Sequence, residues 1–90
     1  MDKRIHAYFN GHVQGVGFRF TAVHIARETK ISGWVRNLDD GRVEIVAEGR
    51  DEDLKNFLSG IQSRFSRYVR DVDAEWTDAT GEFSDFGVRF

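Results

Sequence analysis

The apolar residues of this chain follow two rhythms, one repeating every second residue and one every three to four, and the order in which they alternate leaves few folds open. From Arg4 to Asn10 the pattern is twofold: Ile5, Ala7 and Phe9 point one way, His6, Tyr8 and Asn10 the other, as in a half-buried strand. Gly11 to Gly17 (G-H-V-Q-G-V-G) reads as a glycine-rich loop, and from Phe18 to about Thr29 the rhythm turns helical, with Phe18, Ala22, Ile25 and Ala26 on one face. Gly33 to Leu38 predicts a second strand, Asp39-Asp40-Gly41 a hairpin turn, and Arg42 to Glu48 a third strand ended by Gly49. Asp51 is the expected cap of a second helix with Asp53 in its first turn, and its stripe is Leu54, Phe57, Leu58, Ile61 and Phe65. Tyr68 to Thr77 predicts a fourth strand carrying Val72, Ala74 and Trp76 on one side. The tail from Phe83 to Phe90 is expected to pair beside that strand.

The order is therefore βαββαβ with a short extra C-terminal strand. Each helix joins two strands and must lie on the sheet to bury its stripe, and the crossovers are right-handed. This predicts an α+β, ferredoxin-like sandwich: an antiparallel sheet with the first strand inside it and two helices on one face. Ninety residues allow one domain, spanning 1–90. The chain has no proline, so glycine is its main turn signal.

Composition narrows the function classes. With no cysteine there is no disulfide scaffold, thiolate metal site or cysteine nucleophile. A net charge of −2 argues against a surface that coats nucleic acid. No apolar run reaches the ~20 residues of a membrane span, and Met1 to Asn10 lacks an apolar signal core. The expectation is a cytoplasmic monomer with no nucleic-acid or membrane partner.

The loop before the first helix holds the chemistry. The first N–H groups of a helix have no internal acceptors, and the helix dipole favours an anion there. V-Q-G-V-G supplies no Ser, Thr, Asp or Asn cap, and Arg19 in the first turn opposes the dipole at a cost of about 0.3–1 kcal/mol. An arginine beside open amides suits a phosphate, which its planar fork grips with two hydrogen bonds. The loop is neither a Walker loop nor a dinucleotide fingerprint, because no G-K-[ST] follows and Phe20 stands at the third glycine. Taken alone it is equally compatible with a helix that simply starts at glycine, and Asn37 beside the D-D-G turn reads as a turn residue.

G-H-V-Q-G-V-G-F-R (Gly11 to Arg19) followed by G-W-V-R-N-L-D-D-G-R-V-E (Gly33 to Glu44) resembles the acylphosphatase family, and the chain has that family's length and element order. The resemblance implies hydrolysis of carboxyl-phosphate anhydrides to a carboxylate and inorganic phosphate, without metal or organic cofactor. It implies that Arg19 binds the phosphate, that Asn37 orients the attacking water, and that the amides of Gln14, Gly15, Val16, Gly17, Phe18 and Arg19 cradle the phosphate. The small-molecule partner would be an acyl phosphate, with broad tolerance on the acyl side. Two departures are visible: Glu28-Thr29-Lys30-Ile31 lacks the family's glycine at the end of the first helix, and Arg64 to Arg67 lacks its Gly-Pro pair.

The second reading is a non-catalytic phosphate- or anion-binding module on the same scaffold, since acylphosphatase-like domains occur within larger proteins. An RNA-recognition motif is excluded because Arg42 to Glu48 carries two glutamates and no aromatic for base stacking. His6, His12 and His24 are too scattered for a metal site, though His12 is placed to tune the loop. Asp39-Asp40 and Asp51-Glu52-Asp53 read as turn and cap, Trp34 and Trp76 as packing residues. Thr21 and Ser32 lack an adjacent base.

Overall fold

The computed structural model describes residues 2–90. The elements are β1 (Asp2–Gly11), α1 (Phe18–Glu28), β2 (Ser32–Asn37), β3 (Val43–Arg50), α2 (Asp51–Arg64), β4 (Val69–Asp78) and β5 (Phe86–Val88). They form one five-stranded sheet in the order β4-β1-β3-β2-β5. The β1–β3, β1–β4 and β2–β3 pairs are antiparallel, so the ferredoxin-like arrangement holds for the first four strands with β1 inside the sheet. Ile5, Ala7, Phe9, Val35, Val43, Ile45 and Ala47 face the helices and meet Phe18, Ala22, Ile25 and Ala26 of α1 and Leu54, Phe57 and Ile61 of α2 in one core. Leu58 is only partly buried and packs at its margin.

The tail departs from expectation. β5 does not lie beside β4; it pairs in parallel with β2, Gly33 opposite Phe86 and Val35 opposite Val88, which makes the sheet mixed. The reason lies on the sheet face away from the helices. There Glu48 of β3 is 4% exposed, and its carboxylate accepts hydrogen bonds from the backbone N–H of Thr80 and of Gly81, both at 2.9 Å. That anchor carries the segment after β4 across to the other edge. Phe86 then buries its ring against Phe57 in the core, at 5.6 Å between centroids. β4 offers no such slot: most of its residues are exposed, and Asp71, Asp73 and Glu75 along it disfavour a further strand there.

Two smaller corrections concern the second helix and a tryptophan. α2 begins after Arg50 with no side-chain cap, so Asp51, Glu52 and Asp53 all lie within its first turn and act on the dipole instead. Trp76 is 40% exposed on β4 and is not a core residue. Trp34 lies between Arg36 and Arg89, whose guanidinium carbons sit 5.2 and 4.3 Å from its ring centroid. α1 ends as its missing glycine foretells: Lys30 takes φ +59, the left-handed region, while the Ile31 N–H donates back to Ala26 O at 2.9 Å.

Candidate active site

Phe18 fixes where α1 starts. Its buried ring packs at a tilt against Phe9 of β1, 5.1 Å between centroids, and against Phe65 at 4.8 Å, so the next residue, Arg19, is displayed at the sheet end. The loop before it turns through Gly15 at φ +78 and Gly17 at φ +80, a region that L side chains enter only with strain. Gly17 occupies the N-cap position of α1, and no side chain caps the helix. The first helix amide to find an acceptor is that of Thr21, on Gly17 O at 3.0 Å. Among the described residues, the amides from Gln14 to Arg19 have no protein acceptor.

The side chain of Gln14 braces this loop. Its Nε2 donates to Leu38 O at 2.7 Å and to Arg42 O at 2.9 Å, tying the loop to the β2–β3 hairpin whose strand ends in Asn37. Sequence reasoning assigned Gln14 an amide role and missed this one. A pocket of about 250 Å³ lies between loop and hairpin, and Gly15, Gly17, Phe18, Arg19 and Asn37 are all on its wall. Gln14 and Val16 are not: Gln14 is turned to the hairpin and Val16 packs against the core.

Each polar group on the wall is short of partners. Arg19 is half-buried and makes no ion pair among the described residues; its guanidinium carbon sits 5.5 Å from the Phe90 ring centroid. The Oδ1 of Asn37 is buried without a hydrogen-bond partner, a state that costs about 1–3 kcal/mol in a protein interior. A helix mouth with open donors, an unpaired guanidinium and the Asn37 side chain on one cavity wall can hold a tetrahedral oxyanion. The family model described as Acylphosphatase matches residues 5–88 of this sequence. The chain belongs to the acylphosphatase family.

Its similarity to acylphosphatases extends over whole chains. It is 49% identical over 83 residues to an acylphosphatase of Bacillus licheniformis, covering 90% of this chain and 91% of that one. It is 45% identical over 86 residues to one of Roseiflexus, covering 94% and 92%. The crystal structure of acylphosphatase from Bacillus subtilis superposes with a TM-score of 0.91 at 34% identity, covering 98% of this chain and 99% of that one. Membership of the acylphosphatase family makes the chain a hydrolase enzyme.

The other candidates lie outside the acylphosphatase pocket. His6 Nε2 is 2.5 Å from Glu44 Oε2, and His24 pairs with Glu28 at 3.6 Å. The His12 ring lies 6.4 Å from that of Tyr68 at the start of the loop. Among the described residues no group of three or more His, Asp or Glu could hold a metal ion, and no helix is long and apolar enough to cross a membrane. Burial would raise the pKa of Glu44, but hydrogen bonds from His6 and Arg36 outweigh it and hold the carboxyl below its ordinary value. Burial acts on Glu48 in the same way and is outweighed by the N–H groups of Thr80 and Gly81, the Thr80 hydroxyl and Arg4.

Sequence reasoning missed four residues of the pocket wall: Val13, Phe20, Val88 and Phe90. Val88 and Phe90 reach it because β5 pairs with β2, and no local pattern encodes that pairing.

Proposed function

We propose that this protein hydrolyses acyl phosphates to a carboxylate and inorganic phosphate, with Arg19 and Asn37 as its catalytic residues. One observation carries the reading: Arg19 and Asn37 line one pocket at a helix mouth whose amides have no protein acceptor. Free amides of the loop on the pocket wall, from Gly15, Gly17, Phe18 and Arg19, and the guanidinium bind the three non-bridging phosphate oxygens, on which charge concentrates as the transition state forms. A carboxylate leaves readily, so the water needs position more than activation. A water hydrogen-bonded to the Asn37 side-chain amide presents its lone pair to phosphorus. As the new P–O bond forms, the bond to the acyl oxygen breaks, the carboxylate departs with that electron pair, and the water proton passes to a phosphate oxygen. Asn37 is neutral and takes no proton. Gln14 acts indirectly, holding the loop and Asn37 in register through the hairpin carbonyls.

Phosphate release from acetyl phosphate, without added metal, tests the reading in wild type, Arg19→Ala and Asn37→Ala. Wild-type turnover lost in both variants supports it. Phosphate binding by a wild type that turns nothing over would favour the anion-binding module instead.

A further inference from the structure

Charge is segregated along the second half of the chain. From Leu54 to Arg70 the charged residues are Lys55, Arg64, Arg67 and Arg70, all basic; from Asp71 to Asp85 every charged residue is an acid. The fold turns this change of sign into a gradient in space. β4 runs antiparallel to β1, so Val69 lies opposite Gly11, where the loop before α1 begins. Asp73, Glu75 and Asp78 lie opposite Tyr8, His6 and Lys3, progressively farther from that loop. The turn that carries Arg67 packs directly on the loop. Tyr68 O accepts the His12 N–H at 2.8 Å, and the Phe65 ring lies 4.8 Å from that of Phe18, the residue before Arg19. Arg64, Arg67 and Arg70 therefore stand at the same end of the molecule as the pocket, though none is on its wall.

All three side chains are exposed, and none makes an ion pair among the described residues. Arg64 has a structural task, since it sits in the last turn of α2, where the dipole favours a cation. Arg67 and Arg70 have no such task, and Arg64 to Arg67 is the stretch that lacks the family's Gly-Pro pair. Among the described residues, the acids that share this end without an ion-pair partner are Asp39 on the hairpin and Asp71 beside Arg70; Asp40 is paired with Arg42. With Arg19 the balance around the loop is positive, in a chain whose net charge is −2. Unpaired charges of one sign beside a cleft raise the local concentration of the opposite ion before any contact forms. We propose that Arg67 and Arg70, with Arg64, are an electrostatic guide for the substrate. They draw the phosphate dianion of an acyl phosphate toward the loop, the acids along β4 repel it from the far end, and the guide does not touch it in the pocket. The inference rests on the acyl phosphate reading above and adds residues that govern capture of the substrate and not the chemical step.

The test measures kcat/KM for acetyl phosphate and inhibition by inorganic phosphate at low and high salt in wild type and Arg67→Gln/Arg70→Gln. Arg27→Gln/Lys30→Gln is the control, because it removes the same charge at the far end of α1. Glutamine keeps most of the side-chain stem and all four side chains are exposed, so the variants retain the fold. At an ionic strength of about 10 mM, Arg67→Gln/Arg70→Gln should lower kcat/KM by about threefold, through KM with kcat unchanged, and weaken phosphate inhibition by a similar factor. At about 500 mM, where screening confines each charge to a few ångströms, wild type and variant should converge. The control should change much less at low salt. An unchanged kcat/KM at low salt, a loss that persists at high salt, or an equal loss in the control overturns the guide alone. A wild type that hydrolyses no acetyl phosphate overturns it together with the acyl phosphate reading.

Discussion

The two helices of this small sheet protein begin in opposite ways. α2 opens with Asp51, Glu52 and Asp53, three acids in the first turn that complement the positive end of its dipole, and Asp51 also pairs with Lys55 at 2.9 Å. α1 opens with a left-handed glycine, no cap, no acid in its first turn, and an arginine. Neither helix has a side-chain cap, but α2 offsets its dipole with acids of its own. α1 instead adds a cation where the dipole disfavours one, a local cost that makes sense when a ligand supplies the missing negative charge.

Arg19→Ala should have the largest consequence for that contrast, a fall in kcat/KM of about 10³-fold or more, as for arginines that steady a transferring phosphoryl group. Stability should stay within about 0.5 kcal/mol, because relief of the dipole conflict, ~0.3–1 kcal/mol, is offset by loss of the Phe90 stack, ~0.5–1 kcal/mol. Equilibrium urea unfolding beside steady-state kinetics checks both halves, and an active variant would erase the difference between the two helix starts. Asn37→Ala should lower kcat by about 10²-fold while inhibition by inorganic phosphate persists, since it removes a water-positioning amide and not a phosphate ligand. Loss of phosphate binding with turnover intact would contradict that division.

Lys30→Gly sharpens the comparison from the far end of α1, where local rules are broken without a ligand to explain it. Glycine relieves the φ of +59, and the variant should gain about 1 kcal/mol with unchanged kcat/KM. The smallest effect belongs to Asp51→Arg. Giving α2 a basic first turn like that of α1 should cost about 0.3–1 kcal/mol in urea unfolding, diminishing with added salt, and leave hydrolysis untouched.

Acid should strike the face away from the helices. Glu44 and Glu48 have folded-state pKa values held below the ordinary 4.5 by their hydrogen bonds. The unfolded chain therefore binds their protons first as pH falls. Their contribution to stability is complete above the ordinary value and disappears as pH drops through the lowered folded values. Unfolding free energy measured from pH 6 to pH 2 should decline through that range, and Glu48→Gln should flatten the decline. A wild-type curve with no decline below pH 4 would contradict the assignment.

Much of this was legible in residue order. The twofold and helical rhythms depend on side chains within a few residues of one another, so Ile5-Ala7-Phe9, Phe18-Ala22-Ile25 and Leu54-Phe57-Ile61 announced their elements and core faces. The uncapped glycine and Arg19 announced the helix mouth, and the resemblance singled out Asn37. The lateral place of the tail was not legible. It depends on Glu48 capturing Thr80 and Gly81 across the sheet and on a slot for Phe86 beside β2, contacts between residues more than thirty positions apart. For the same reason the brace from Gln14 to the hairpin and the apolar rim of Phe20, Val88 and Phe90 emerge only from the folded chain. Local chemistry specified which segments would be strands and helices and where one helix would offer free donors. Long-range hydrogen bonding and burial determined which edge the last strand joined, and so what stands around those donors.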